Sequence, residues 1–303
     1  MQDPLTNLVQ IIVSTLTVGS VLALVAMGYN LVFSSTRVVN FAQGSMIVIA
    51  GFIAYAMTRS GVPIWLAFVW TIIFSAGIGV VIELVAIRPL GKFDPTTNVG
   101  WILTTFSIGL VATDLIRVTI DASAHPLPAL VGSLFGWKGS QVSGVAVSPT
   151  DGLIVLAAIS LMVGLEAMQT RTMIGRAFRA VAQDKQAASL MGINTNVVVR
   201  ATFALAGALA AVGAVLLAPK LFVKLENGLL LGFQAFIAAV LGGLGSVRGA
   251  VAGGYAIALT SAIVKTISAS SAKFEPLVIF ALFLLVLVAR PSGIFGTPAI
   301  EKV

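Results

Sequence analysis

Within the stretch RVVNFAQGSM, Asn40, Gln43 and Ser45 stand where an apolar run begins. Carboxamides and a hydroxyl do not exchange protons near neutral pH; they solvate other dipoles by donating and accepting hydrogen bonds. Asn40 and Gln43 are three apart and share a helix face. Gly44 and Gly51 beside them allow close backbone approach. At membrane depth such polar groups need partners. They either line a pathway for a polar solute or join helices by hydrogen bonds, and both readings of Asn40, Gln43 and Ser45 stand at this point.

The ionisable groups exclude more than they promise. Glu83 lies about one helical turn before Arg88 near the end of an apolar run, where it can pair or snorkel. Asp114 and Arg117 are placed i,i+3 and can neutralise each other. Glu166 and Glu275 fall at the ends of other runs. A lone acid in mid-run would mark a proton or ion path; none occurs, which argues against a proton- or sodium-coupled carrier. The single histidine, His125, precedes Pro126 and reads as solvated loop surface. There are no cysteines, so thiolate metal sites, disulfides and cysteine nucleophiles are excluded. No G-x-x-x-x-G-K-[ST] occurs, so the chain does not hydrolyse ATP by a P-loop. Neither a metal site nor a catalytic constellation can be assembled, and an enzyme is the poorest reading.

Two further stretches carry information. MIGRAFRAVAQDKQAASLMGINT is helix-compatible from Arg176 to Met191, with Gly192 placed as a C-terminal cap. Phe178, Val181, Ala188 and Met191 give it a partly apolar face, and Arg179, Asp184 and Lys185 are available for salt bridges. Such a helix lies on lipid or docks into a partner's groove; few aromatics and mixed charge favour the partner. In LGGLGSVRGAVAGG, glycines at 242, 243, 245, 249, 253 and 254 crowd together. Glycine costs about 1 kcal/mol against alanine in a helix, so Gly242, Gly243 and Gly245 point to a turn flanked by tightly packed helix ends.

The elements that must hold these residues follow from composition. Of 303 residues, 58% are hydrophobic and 10% charged, and the mean hydropathy is +1.05. No soluble fold of this length hides that much apolar surface. Runs long enough to span a bilayer lie near 8–28, 40–58, 63–87, 98–119, 150–168, 197–218, 229–243, 250–267 and 275–290. The second and seventh are short and glycine-rich, so each is a full crossing or a broken helix. The expectation is an all-α bundle of eight or nine spans forming one transmembrane domain over 1–303. The first run is read as a retained span, since Asp3 is the only charge before it. Segment 171–200 holds Arg171, Arg176, Arg179, Lys185 and Arg200, which predicts a cytoplasmic loop, an external N-terminus and an internal C-terminus. Residues 120–149, with Pro126, Pro128 and Pro149, read as an external loop. GSVLALVAMGYNLVF leading into NFAQGSMIVIAGFIA is weakly echoed by GALAAVGAVLLAP leading into LGFQAFIAAVLGG. In the predicted topology the two halves run oppositely, as in the inverted repeats of transporters.

On these motifs the chain resembles the high-affinity branched-chain amino acid (Liv-type) ABC importer permeases. QAASLMG is similar to the E-A-A-x-x-x-G coupling motif of importer permeases, with Gln186 in place of Glu and Ala187, Ala188 and Gly192 matching. GYNLVF, VVNFAQGSM, AVLGGLGSVRGAVAGG and RPSGIFG occur in the family's order across about 10–300. The resemblance implies a bacterial inner-membrane importer of a second related permease, two cytoplasmic ABC ATPases and a periplasmic solute-binding protein, with no nucleic acid involved. ATP would bind the partner ATPases, and this chain would need no cofactor. Loop 170–196 would carry the coupling helix, with Arg176, Arg179, Asp184, Ala187, Ala188 and Gly192 at the ATPase. From the shared face and the flanking glycines, and not from the resemblance, Asn40, Gln43 and Ser45 are expected on the substrate pathway or its cytoplasmic mouth. Many relatives carry His where this chain has Gln43, and the family also includes permeases for urea, amides and small organic or aromatic acids. The expected substrate is therefore a branched-chain or other hydrophobic amino acid, with those solutes as the alternative. A passive small-solute channel is a third reading, but it has no use for a coupling-like loop.

Overall fold

The computed structural model describes residues 4–90, 100–120, 123–135, 140–142, 145–267, 271–290 and 292–296. Its elements in chain order are α1 (Pro4–Thr36), α2 (Gln43–Arg59), α3 (Ile64–Ile82), α4 (Gly100–Thr119), α5 (Leu130–Phe135), β1 (Ser140–Val142), β2 (Val145–Val147), α6 (Pro149–Arg171), α7 (Met173–Gln183), α8 (Lys185–Leu190), α9 (Thr195–Leu221), α10 (Glu226–Gly242), α11 (Val247–Ile267) and α12 (Glu275–Ala289). Seven described helices are long and apolar enough to cross a membrane. The bundle adds α2 and α10, each of 17 residues and so about 26 Å long. Every predicted span is a helix, and the only strands described are the short hairpin β1–β2.

Local chemistry sets the helix ends. Ser148 and Asp151 form a reciprocal cap at the start of α6, with Pro149 in the first turn. Thr172, Asp184 and Asn194 cap α7, α8 and α9 by accepting backbone N–H groups. After Ile82 the third span continues as one π-helical stretch, Glu83–Ile87.

The core is built on α1 and α9. Both are buried over most of their middle turns, while α3, α4 and α12 keep long apolar faces exposed, as a lipid-facing rim must. α1 and α9 run antiparallel: Ser35 Oγ meets Thr202 Oγ1 at 2.9 Å, Gly28 lies against Ala206, and Gly213 faces Val21 and Val25. Each then packs an outer helix through backbone-to-backbone approach at small residues. Gly79 of α3 sits on the Phe203 carbonyl of α9, and Gly254 of α11 sits on Ala23 of α1. The short helices cross over, α2 onto α9 and α10 onto α1, and touch each other. The set α1–α2–α3 thus stands to α9–α10–α11 as two inverted halves, which gives the weak sequence echo a physical basis.

Ion pairs lie toward the two ends of the bundle. Lys220–Asp151, with Thr17 donating to Asp151 at 2.8 Å, and Lys265–Glu275 at 2.9 Å mark one end. Arg248–Glu166 and Arg200–Glu83 mark the other. Asp151 and Glu166 are about 22 Å apart along α6 at 1.5 Å per residue. Glu166 and Glu275 take partners at span ends as expected, and Asp114 pairs with Arg117 at 3.3 Å. Glu83 differs: it pairs at 3.9 Å with Arg200 of α9, not with Arg88 on its own helix.

His125 is also unlike its reading as solvated surface. Its backbone exchanges two hydrogen bonds with Val223, and its ring stacks on Tyr55 at 4.1 Å. Part of the loop between α4 and α6 is thereby tied down onto α2 and the α9–α10 connection.

Candidate functional site

The junction between α1 and α2 is non-helical backbone over residues 37–42, buried inside the bundle from Val38 to Asn40. Irregular backbone at membrane depth is tolerated only where protein satisfies it, and here the polar side chains do so. Asn40 Oδ1 accepts from the Ala42 N–H at 3.1 Å, turning the chain into α2. Gln43 Nε2 donates to the Ala206 carbonyl of α9 at 3.0 Å, and Gly28 of α1 leaves the room for its carboxamide. The Phe41 N–H donates to Thr105 Oγ1 of α4 at 3.3 Å. Asn40 and Gln43 are fully buried, and Gln43 Oε1 has no partner among the described residues.

Ser45, close behind Gln43 on α2, faces differently. It borders a cleft of 580 Å³ between α1, α2, α4 and α10. Phe41, Phe106, Phe233 and Phe236 form apolar walls, and Ser45 and Thr113 add hydroxyls. Asp114, Arg117 and Glu226 add charge. Tyr29 Oη donates to the Gly232 carbonyl at 3.1 Å, holding α10 against α1 at the cleft's edge. α2 and α10 meet backbone to backbone at Gly44, Gly228 and Gly232, with the Val48 side chain seated on Gly228. A Cβ on Gly44 would overlap the Gly228 carbonyl oxygen, and one on Gly232 would overlap the Gly44 Cα. Of the three candidate pathway residues, then, Ser45 lines the cleft, while Asn40 and Gln43 fix the backbone that presents it. Such a cleft can hold a solute with an apolar body and a charged or polar head. Among the described residues no group of three His, Asp or Glu could hold a metal.

The loop after α6 is two helices, not the single one predicted. Asp184 is extended (φ −151°, ψ 111°) and caps α8, accepting from the Gln186 and Ala187 N–H groups at 2.8 and 2.9 Å. Its carboxylate is therefore engaged by backbone, not by a lysine or arginine. Arg176 is exposed, and Arg179 donates to the Gln169 carbonyl at the end of α6. Gly192 has φ +84°, the left-handed geometry expected of a C-terminal cap. The apolar face is partly as expected: Phe178, Val181 and Ala188 form a small core with Val198 of α9. Met191 is not in it; it is 83% exposed, beside Leu190 at 89%. Ala187 is exposed and Ala188 buried.

The glycine turn is as tight as its composition suggested. Gly242 and Gly249 each sit against the other's carbonyl, and Gly243 and Gly245 have φ of +106° and +88°. Two contacts there were not anticipated. Asn30 of α1, 1% exposed, donates to the Gly243 and Ser246 carbonyls at 3.3 and 2.7 Å. The N–H groups of Ile294 and Phe295 donate to the Leu241 and Gly242 carbonyls at 2.9 and 3.0 Å, so the end of the described chain straps the turn. Asn30 lies inside GYNLVF, and a carboxamide in so apolar a run was the signal available for it.

A family model described as the permease component of branched-chain amino acid transport systems matches residues 11–287. The high-affinity branched-chain amino acid transport permease BraD of Pseudomonas aeruginosa is 35% identical, over 97% of each chain. LivH of Escherichia coli K12, of the same description, is 32% identical over 95% of each chain. Among solved structures, an inward-facing metal-chelate type ABC transporter is similar in fold. Its TM-score is 0.50 at 16% identity, over 93% of this chain and 87% of that one.

Proposed function

The chain belongs to the branched-chain amino acid transport permease family, and from that premise we propose that it carries branched-chain or other hydrophobic amino acids inward. It is a multi-pass membrane protein and a permease subunit of an ABC importer, not an enzyme; ATP hydrolysis belongs to other subunits. The observation that carries the substrate reading is similarity over nearly the full length to BraD and LivH, both named for branched-chain amino acids. The cleft supports it, with phenylalanine walls for an aliphatic side chain and Asp114, Arg117 and Glu226 for a charged head.

The partners in this reading are a second Liv-type permease across the open cleft, two ABC ATPases at α7–α8, a periplasmic solute-binding protein, and the surrounding lipid. Support for the ATPase contact is the outer surface of the loop. Met173, Ile174, Leu190 and Met191 are 73%, 61%, 89% and 83% exposed, large apolar side chains that a partner surface would cover. The chain would sit in the bacterial inner membrane with α7–α8 in the cytoplasm, its N-terminus outside and its C-terminus inside. Arg171, Arg176, Arg179 and Lys185 support that orientation.

The test is reconstitution of the full complex in vesicles, with the loaded binding protein on one side and ATP on the other. Leucine, urea and benzoate are offered in parallel. ATP-dependent leucine uptake above the other two is expected. Urea or benzoate uptake without leucine uptake would move the substrate to the alternative, and uptake without ATP would indicate a channel.

A further inference from the structure

Arg37 closes α1 and is the residue through which the loop helices reach the α1–α2 junction. Its φ is +59°, a left-handed conformation in which non-glycine residues are uncommon. Its N–H donates to the Phe33 carbonyl at 2.8 Å, ending the helix in one turn. Glycine would adopt this geometry without strain, so a long side chain there suggests that the side chain is used. Its Nη2 donates at 2.8 Å to the carbonyl of Ala182, in the last turn of α7. Carbonyls at a helix C-terminus lack intrahelical partners and carry the negative end of the helix dipole, so a guanidinium is suited to bind there.

The segment after Arg37 matters as much as the carbonyl that its side chain binds. Residues 38–42 contain no helix, and Thr36 Oγ1 ties them back by accepting from the Val38 N–H at 3.2 Å. Then come Asn40, which turns the chain, Gln43, which pins it to α9, and Ser45, which opens on the cleft. The Arg37–Ala182 hydrogen bond and the short covalent stretch from Arg37 to Ser45 therefore join the end of α7 to the cleft wall. α7 is also tied to α6, where Arg179, about one turn before Ala182, donates to the Gln169 carbonyl.

We propose that Arg37 is a positioning residue for coupling: it makes the 37–42 junction move with α7, so that displacement of the loop helices reorients the Ser45 end of α2. The proposal rests on the importer reading above. Strained backbone held in place by its surroundings clusters at switch regions, and Arg37 is such a residue.

The experiment uses the complete complex in proteoliposomes and measures labelled leucine taken up per ATP hydrolysed, for wild type, R37Q and R37K. The wild-type measurement tests the importer reading by itself: no ATP-dependent uptake there would sink that reading before any variant is read. For R37Q the complex should assemble and hydrolyse ATP, while uptake per ATP falls by about fivefold or more. R37K, which keeps a charged donor on a shorter arm, should recover part of the ratio. A ratio in R37Q within about twofold of wild type would overturn the proposal, whatever the absolute rates. Failure of R37Q to assemble would also overturn it, since Arg37 would then be part of the fold and not a link between moving parts.

Discussion

Ala187 and Ala188 are identical neighbours that face opposite ways, and the difference decides what a bulky side chain does at each. Ala188 packs with Phe178, Val181 and Val198, so Ala188→Trp should overfill the loop's own core. Overpacking costs about 1–3 kcal/mol, and the loop should become protease-sensitive before any partner is added. Ala187 is exposed. Ala187→Trp should leave the isolated permease intact, and substrate-stimulated ATP hydrolysis should fall together with uptake in the assembled complex. Equal protease resistance of both variants would show that the two faces are misassigned. Gln43 poses the converse case. Gln43→Leu removes one neutral hydrogen bond to Ala206, worth about 1 kcal/mol net, and removes the unpartnered Oε1. The complex should assemble with little change in melting temperature while uptake falls, because the start of α2 is no longer pinned. Collapse of assembly would mean that Gln43 serves only to join the helices.

Helices α2 and α10 depend on close backbone approach at Gly44, Gly228 and Gly232, beside the cleft. Gly232→Val would drive a side chain into the Gly44 backbone, and Gly44→Val would drive one into the Gly228 carbonyl. Backbone cannot yield as a flexible side chain does, so each should lower the melting temperature in detergent by an amount matching at least about 1–3 kcal/mol. Unchanged melting in both would mean that the helices separate more readily than their packing implies. At this scale the sequence was informative where the signal is local. Apolar runs marked every span, and the left-handed Gly192 and the crowded Gly242–Gly243–Gly245 turn were readable from glycine alone. The break at Asp184 was also written locally, as an Asp before KQAASL, but a charged side chain in a helix-compatible stretch reads as a salt-bridge partner until its backbone is seen. The pairing of Glu83 with Arg200, and the burial of Gln43 against Ala206 while Ser45 faces the cleft, depend on residues more than a hundred positions apart. No periodicity encodes that.

Across the whole molecule the two inverted halves share one core, and their ion pairs mark two ends of the bundle. Which end faces the cytoplasm is a question for the chain in its membrane. The protein has no cysteine, so Ala124→Cys and Gln186→Cys, both at exposed positions, can each be labelled with an impermeant maleimide. From outside intact cells position 124 should label and position 186 should not; the reverse would invert the orientation. The same architecture has a consequence for biosynthesis. α1 leaves the ribosome well before α11, yet Ser20 finds Tyr255 235 residues later, and Asn30 finds its turn 213 residues later. For most of translation these polar groups face lipid or the insertion machinery without their final partners. The halves cannot mature one after the other, because each central helix is completed by the other half. The strap from Ile294 and Phe295 onto Leu241 and Gly242 comes later than α11. A nascent chain stopped before α11 should therefore be inserted yet unfinished, and be cleared by membrane quality-control proteases rather than accumulate as a stable half.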